Sequence, residues 1–380
     1  MTKLPTGWKR SKMGEIGQYL NGKAFKSQDW KSSGRPIIRI QNLTGSGTEF
    51  NYFNGEIEDR YVVQPGDLLF SWSATLGTYI WKGPEAVLNQ HIFKVESNID
   101  KRFHRYLLDF KIQEMHSQTH GSGMVHITKK SFDAIEVNIP PIEEQHKIVE
   151  LLEDHLSRLD AALADVKQAK IMAAQFRQSL LNSVFYGGNF KSVNLGTCIE
   201  LIMGQAPPGI TCNKNGEGTP FVKVGEFAKL YPTIEEWTLK PLRLAKKGDV
   251  LICVVGATVG KINLGIDCAI GRSVAAIRPK NALLQKYLYY FLELKMLEIR
   301  GQSKGSAQGV ITKDYINSIE IPLPELKVQQ DVLDLLESNF SQVEKSIEGS
   351  NIIERESVSL RRSLLQAAFT GQLAKEVASV

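Results

Sequence analysis

The side chains that could do chemistry in this chain do not gather into a reaction centre. Seven histidines are scattered over 380 residues. His91, His120 and His126 have Ser273, Lys304 and Val310 at the matching places of an internal repeat. A proton carrier that one half holds and the other lacks argues against a histidine reaction shared by both halves. The four cysteines, Cys198, Cys212, Cys253 and Cys268, form no Cys-x-x-Cys pair. They read as reduced, buried thiols. There is no Gly-x-x-x-x-Gly-Lys phosphate loop and no His-Glu-x-x-His zinc helix, and Gly45-Ser46-Gly47 lacks the third glycine of a dinucleotide fingerprint. Asp67 and Asp249 are shared between the halves, but each sits in a Gly-Asp turn that launches an apolar strand.

The remaining candidates are polar groups suited to holding a ligand. His120-Gly121-Ser122-Gly123 aligns with Lys304-Gly305-Ser306-Ala307, followed by Lys129-Lys130 in one half and Lys313 in the other. Small residues let backbone N–H groups approach a phosphate, and a flanking cation adds charge; a plain solvated loop is the alternative. Arg39 and Lys223 occupy matching positions read as outward on a strand, facing a ligand or simply solvated. Gln41, Gln90 and His91 carry donor and acceptor groups that fit base edges, and their counterparts are Gly225, Arg272 and Ser273. Base readers should differ between two copies, whereas scaffold residues should not. Trp72 could stack on a ligand or pack. Lys167, Lys170, Arg177 and Arg361 could form an outward basic face on two long helices, or a solvated one.

These residues sit in a chain that repeats itself. Arg177-Gln178-Ser179-Leu180-Leu181 through Phe185-Tyr186-Gly187 returns as Arg361-Arg362-Ser363-Leu364-Leu365 through Phe369-Thr370-Gly371, an offset of 371 − 187 = 184 residues. Ile127-Thr128-Lys129 returns as Ile311-Thr312-Lys313, and Gln145 as Gln329. A repeat this long is a duplicated domain, not a solenoid unit. Composition is ordinary for a globular protein, with 42% hydrophobic and 23% charged residues. The net charge of +5 permits nucleic acid without demanding it. The opening Met1–Trp8 lacks an apolar core, and no run approaches the ~20 apolar residues of a membrane span. A soluble cytoplasmic protein is expected.

Each half reads as a strand-rich globular part followed by a long helix. Pro36–Gln41 alternates as a half-buried strand, with Ile38 and Ile40 inward and Arg39 and Gln41 outward. Pro140-Pro141 and Pro322-Leu323-Pro324 mark the helix entrances. Apolar spacings of three and four then run through Ile148, Leu152, Leu159 and Leu163, and through Val332, Leu336, Val343 and Ile347. Gly349-Ser350-Asn351 should weaken the second helix, and Gly187-Gly188-Asn189 should cap the first and give a flexible joint. A helix so long cannot bury its stripe within its own domain. Two of them packed antiparallel would solve this and set the domains toward opposite ends, with a contact of Leu159 to the second helix as the test. The fold class is α+β: two tandem α/β domains, each followed by a long helix, the helices paired as an antiparallel coiled coil. The expected boundaries are 1–142, 143–186, 187–324, 325–372 and a tail, 373–380.

Taken together, the chain resembles the specificity subunit of type I restriction–modification systems. The resemblance rests on Leu4-Pro5-Thr6-Gly7-Trp8, Asn89-Gln90-His91-Ile92-Phe93-Lys94, and Gly248-Asp249-Val250-Leu251 leading to Gly256-Ala257-Thr258-Val259-Gly260. It rests also on Ile139-Pro140-Pro141-Ile142-Glu143-Glu144-Gln145 and Phe369-Thr370-Gly371-Gln372-Leu373. The second half lacks the Pro-x-Gly-Trp opening, and Ala74 stands where the other copy has Gly256. The resemblance implies two target-recognition domains, each reading half of a split, asymmetric double-stranded DNA sequence. It implies docking of methyltransferase subunits, expected to be two, and of motor-nuclease subunits. It implies no catalysis and no cofactor on this chain, with S-adenosylmethionine on the methyltransferase. A coiled-coil scaffold that binds only protein is the alternative.

Overall fold

Leu68-Leu69-Phe70 shows how the globular parts are built. All three side chains are buried, yet they serve two cores. Leu68 and Phe70 pack with Phe103 and Leu107 of a helix, Lys101–Gln118, while Leu69 packs with Ile38, Val63 and Leu88 on the other side. A strand covered on both faces reads as a continuous apolar run because its alternate side chains enter different cores. Val250–Cys253 repeats the arrangement: Val250 and Ile252 enter one core, and Leu251 enters another with Val222 and Ile270. This computed structural model describes residues 4–73, 75–118, 129–304 and 309–373, without the side chains of 113–118 and 302–304.

Each globular part has two main sheets. In the first copy, an antiparallel sheet runs in the order Gly17–Asn21, Ile92–Ser97, Leu68–Ser71, Gly77–Ile80. The second copy matches it with Ile199–Met203, Val274–Pro279, Val250–Cys253 and Ile262–Leu264. The registers coincide: Leu68 faces Val95 and Val250 faces Ile277, each partner displaced by 182 residues (250 − 68 and 277 − 95). The other sheet contains a parallel pair, Arg35–Ile38 with Ala86–Leu88, matched by Thr219–Val222 with Cys268–Ile270.

The segment expected as one strand over Pro36–Gln41 divides. The strand ends at Ile38, with Pro36, Ile37 and Ile38 all buried, and Ile40–Thr44 is a short helix. Alternation fails because this strand, too, is covered on both faces. Arg39 and Lys223 are therefore not outward strand residues. Each stands at the entrance of a short helical turn, and its backbone N–H donates to a side chain three residues on, Asn42 Oδ1 at 3.1 Å and Glu226 Oε2 at 2.8 Å.

The long helices span Ile142–Tyr186 and Leu326–Phe369, 45 and 44 residues. The second passes Gly349-Ser350-Asn351 without a break, and Ser350 Oγ donates back to Ser346 O at 2.9 Å. The first ends at Tyr186, but Gly187 and Gly188 are not left-handed; Gly187 N still bonds to Ser183 O at 2.8 Å. Only the second helix closes on a left-handed glycine, Gly371, with φ +77°.

By contacts the chain forms two units, Met1–Val166 with Ile352–Val380, and Lys167–Asn351. The division falls inside both long helices. Each unit holds one globular domain, the beginning of that domain's own helix and the end of the other helix. In the first, Ile148, Leu152 and Leu156 share a core with Leu365, Ala368 and Phe369, and the ring of Phe369 packs on Phe103 and Phe110 at 5.2 and 5.3 Å. In the second, Val332, Leu336 and Phe340 share a core with Leu181 and Phe185, whose ring meets Tyr287 and Phe291 at 4.9 and 5.5 Å. Leu159 is half-buried, and its neighbour Asp160 forms an ion pair with Arg361.

A buried amide ties each helix entrance to its domain. Gln145 Nε2 donates to Pro140 O at 2.9 Å, and its Oε1 accepts from Asp100 N at 3.0 Å. Gln329 repeats this with Pro324 O at 2.8 Å and Leu284 N at 2.9 Å, and adds Ala282 O at 2.8 Å. Buried amides are tolerated when paired in this way.

Candidate nucleic-acid interface

The two sheets of each domain meet at a seam. In the first copy the chain leaves the strand Gly17–Asn21 at Gly22, whose N–H donates to Ile92 O at 3.1 Å; Lys23 N then donates to Leu88 O at 2.8 Å and Gln90 N to Lys23 O at 3.1 Å. The second copy makes the same crossing at Gly204, with Gly204 N to Val274 O at 2.9 Å and Gln205 N to Ile270 O at 3.0 Å. A Cβ on either glycine would lie 2.2 Å from a backbone carbonyl oxygen, Asn89 O or Gly271 O. The close approach therefore requires glycine.

The seam gathers residues far apart in sequence. In the first copy it brings together Asn21, Lys23, Arg39, Trp72, Gln90 and His91. Trp72 Nε1 donates to Asn21 Oδ1 at 3.1 Å, and its ring lies tilted beside His91 at 5.9 Å and stacked on Phe93 at 5.7 Å. Gln90 accepts from Asn89 Nδ2 at 3.2 Å and lies 3.4 Å from His91 Nε2. Asn21 and His91 are exposed. Arg39 follows the parallel strand and reaches Glu49 O at 3.2 Å, with Trp30 beneath it.

In the second copy the corresponding residues are Met203, Gln205, Lys223, Val254, Arg272 and Ser273. Lys223 forms an ion pair with Glu236, whose hydrogen bond raises the lysine's pKa above its ordinary value. Arg272 is exposed and makes no hydrogen bond or ion pair among the described residues. Val254 is buried, so this seam is less aromatic than the first.

The other expected contacts fall elsewhere. Gln41 is exposed on the short helix with its side chain against Gly47. Lys129 pairs with Asp133 at 2.7 Å and sits over the Tyr19 ring, while Lys130 and Lys313 are exposed. His120, Ser122 and Ser306 lie outside the described residues, as does the side chain of Lys304.

The helix cations expected to face outward are mostly engaged within the chain. Arg177 forks onto Glu293 at 2.7 and 2.9 Å and covers Phe340 at 3.7 Å, Arg361 pairs with Asp160, and Lys170 donates to Asn351 Oδ1 at 2.7 Å. Only Lys167 of that set is exposed with no partner among the described residues. A guanidinium fork satisfied by a carboxylate has little left for an external ligand.

Asn21, Lys23, Met203 and Gln205 escaped the sequence reading. Their signal was the repeated glycine at 22 and 204, flanked by residues that do not repeat. Among the described residues no cluster of three or more His, Cys, Asp or Glu is placed to hold a metal ion, and no helix is long and apolar enough to cross a membrane.

The model of the type I restriction modification DNA specificity domain matches the chain twice, at residues 5–169 and 188–354. The chain is 25% identical to the type I restriction enzyme EcoBI specificity subunit of Escherichia coli, over 96% of this chain and 86% of that one. It is 26% identical to the putative type I restriction enzyme MjaX specificity subunit of Methanocaldococcus jannaschii, over 97% and 94%. Among solved structures it superposes with a TM-score of 0.83 on a chain from a study of assembly and conformational transition of the type I R-M system, at 25% identity over 97% and 99%. It superposes with a TM-score of 0.61 on the HsdS subunit from Thermoanaerobacter tengcongensis, at 26% identity over 97% and 98%.

Proposed function

Because the chain belongs to the type I restriction modification DNA specificity family, and is thereby a DNA-recognition subunit, we propose that its two domains read the two unlike halves of one split DNA target. One observation carries this reading: the frame is duplicated down to strand register and crossing glycine, while the polar groups mounted on it differ. Two identical readers would favour a symmetric target; two unlike readers on one chain favour an asymmetric one. Each domain alone offers few contacts, and tethering makes the second binding step effectively intramolecular. The chain itself binds and does not turn over. Adenine methylation and S-adenosylmethionine would belong to methyltransferase subunits docked on it, and cleavage to motor-nuclease subunits.

The test is to express the chain with a partner methyltransferase subunit and sequence the methylated genome. Adenine methylation at one bipartite, asymmetric motif is expected. No motif, or an unbroken palindrome, would sink the reading.

A further inference from the structure

We propose that the seam between the two sheets is where each domain reads base edges, and that Arg272 takes a guanine in one half of the target. The proposal rests on the DNA-reading function above and deepens it by locating the code.

Frame and code separate at the seam. Gly22 and Gly204 make the same crossing through equivalent backbone hydrogen bonds, and neither has room for a Cβ. Around that frame the matching positions differ: Asn21 with Met203, Lys23 with Gln205, Arg39 with Lys223, Trp72 with the buried Val254, Gln90 with Arg272, His91 with Ser273. Residues that hold a duplicated frame have reason to repeat. So do residues that grip phosphates, because a phosphate carries no sequence information. Side chains that read two different half-sites have reason to diverge, and here they diverge together in one place.

The second seam offers the more specific chemistry. Arg272 rides on a turn fixed at both sides: Gly271 N bonds to Val222 O, Val274 N to Gly271 O, and Val254 N to Ser273 O, each at 2.9 Å. The neighbouring cation, Lys223, is already neutralised by Glu236, whereas Arg272 has no partner among the described residues. A guanidinium presents a planar fork of donors. In the major groove, guanine alone presents two acceptors side by side, O6 and N7. At the matching place the first copy has Gln90, an amide, which suits adenine N6 and N7 instead. The first seam also holds Asn21, whose oxygen is taken by Trp72 Nε1, leaving the NH2 group as a donor.

The assembled complex, with its methyltransferase, is tested for binding to duplexes carrying single base-pair changes across the target. Wild type should discriminate against loss of one G·C pair. Arg272→Gln should relax that preference roughly tenfold or more, in one half only. Preferences throughout the other half should stay as they were, which shows that the complex is intact. Discrimination retained at every position overturns the proposal. So does an equal loss of affinity for all duplexes with a salt slope shallower by about 1, because that marks a phosphate contact. If Arg272→Gln yields no assembled complex, Arg272→Met carries the same measurement; it keeps much of the length and loses every donor, and an unchanged guanine preference then counts against the assignment. A wild-type complex with no preference among duplexes would instead defeat the DNA-reading function itself.

Discussion

At the scale of single residues, the two copies differ in one buried group on the helix that follows each sheet. His104 is fully buried between Tyr19 Oη at 2.7 Å and Ser97 Oγ at 2.8 Å, and burial pushes its pKa down to about 4. The matching residue is Leu288, also fully buried (288 − 104 = 184). The folded state thus keeps His104 neutral, while the unfolded chain protonates it near pH 6.5. Its contribution is complete above pH 6.5 and is lost as the pH falls toward 4, by up to about 3 kcal/mol. Urea unfolding of wild type should therefore lose stability between pH 7 and pH 4.5 more steeply than His104→Leu does. Parallel pH profiles for the two proteins would contradict this.

At the scale of elements, the repeated helix ends act as plugs. Phe369 ends the second helix and packs into the first domain, and Phe185 ends the first helix and packs into the second. Each is at most 1–4% exposed, so truncation to alanine should cost about 3–5 kcal/mol. The location of the damage is the sharper readout. Phe369→Ala should speed hydrogen exchange in the helix beginning at Lys101, with the helix beginning at Gln285 unchanged; Phe185→Ala should do the reverse. Damage to the domain that precedes the mutated helix would show that the assignment is inverted. The helices and their proline entrances were legible in sequence, because apolar spacing and proline are local signals. The strand expected over Pro36–Gln41 was not, because a segment covered on both faces loses its alternation.

At the scale of the whole chain, neither domain completes its core with its own half. The first needs Leu365, Ala368 and Phe369 from the second helix. Its own helix end, Phe185, is already taken by the core of the other unit. A half-chain of residues 1–191 nevertheless carries Leu181, Val184 and Phe185, the equivalents of the missing plug. Two such half-chains can plug each other. Light scattering should report twice the half-chain mass, and a stably folded monomer would refute the exchange.

The sequence by itself determined the duplication, the helices and their entrances, and the family, because repeats, periodicity and punctuation are read along the chain without knowing what packs on what. It also exposed where the copies disagree, at Gln90 and Arg272 and at His91 and Ser273. Tertiary structure alone decided three things. Leu181 with Phe185 and Leu365 with Phe369 are locally interchangeable, so periodicity says which face is apolar and leaves open which domain covers it. The seam draws Asn21, Trp72 and His91 together at the ends of three strands, with backbone crossings that only Gly22 and Gly204 allow. Arg177 and Arg361 looked available for a partner in sequence; Glu293 and Asp160, brought close by packing, had already taken them.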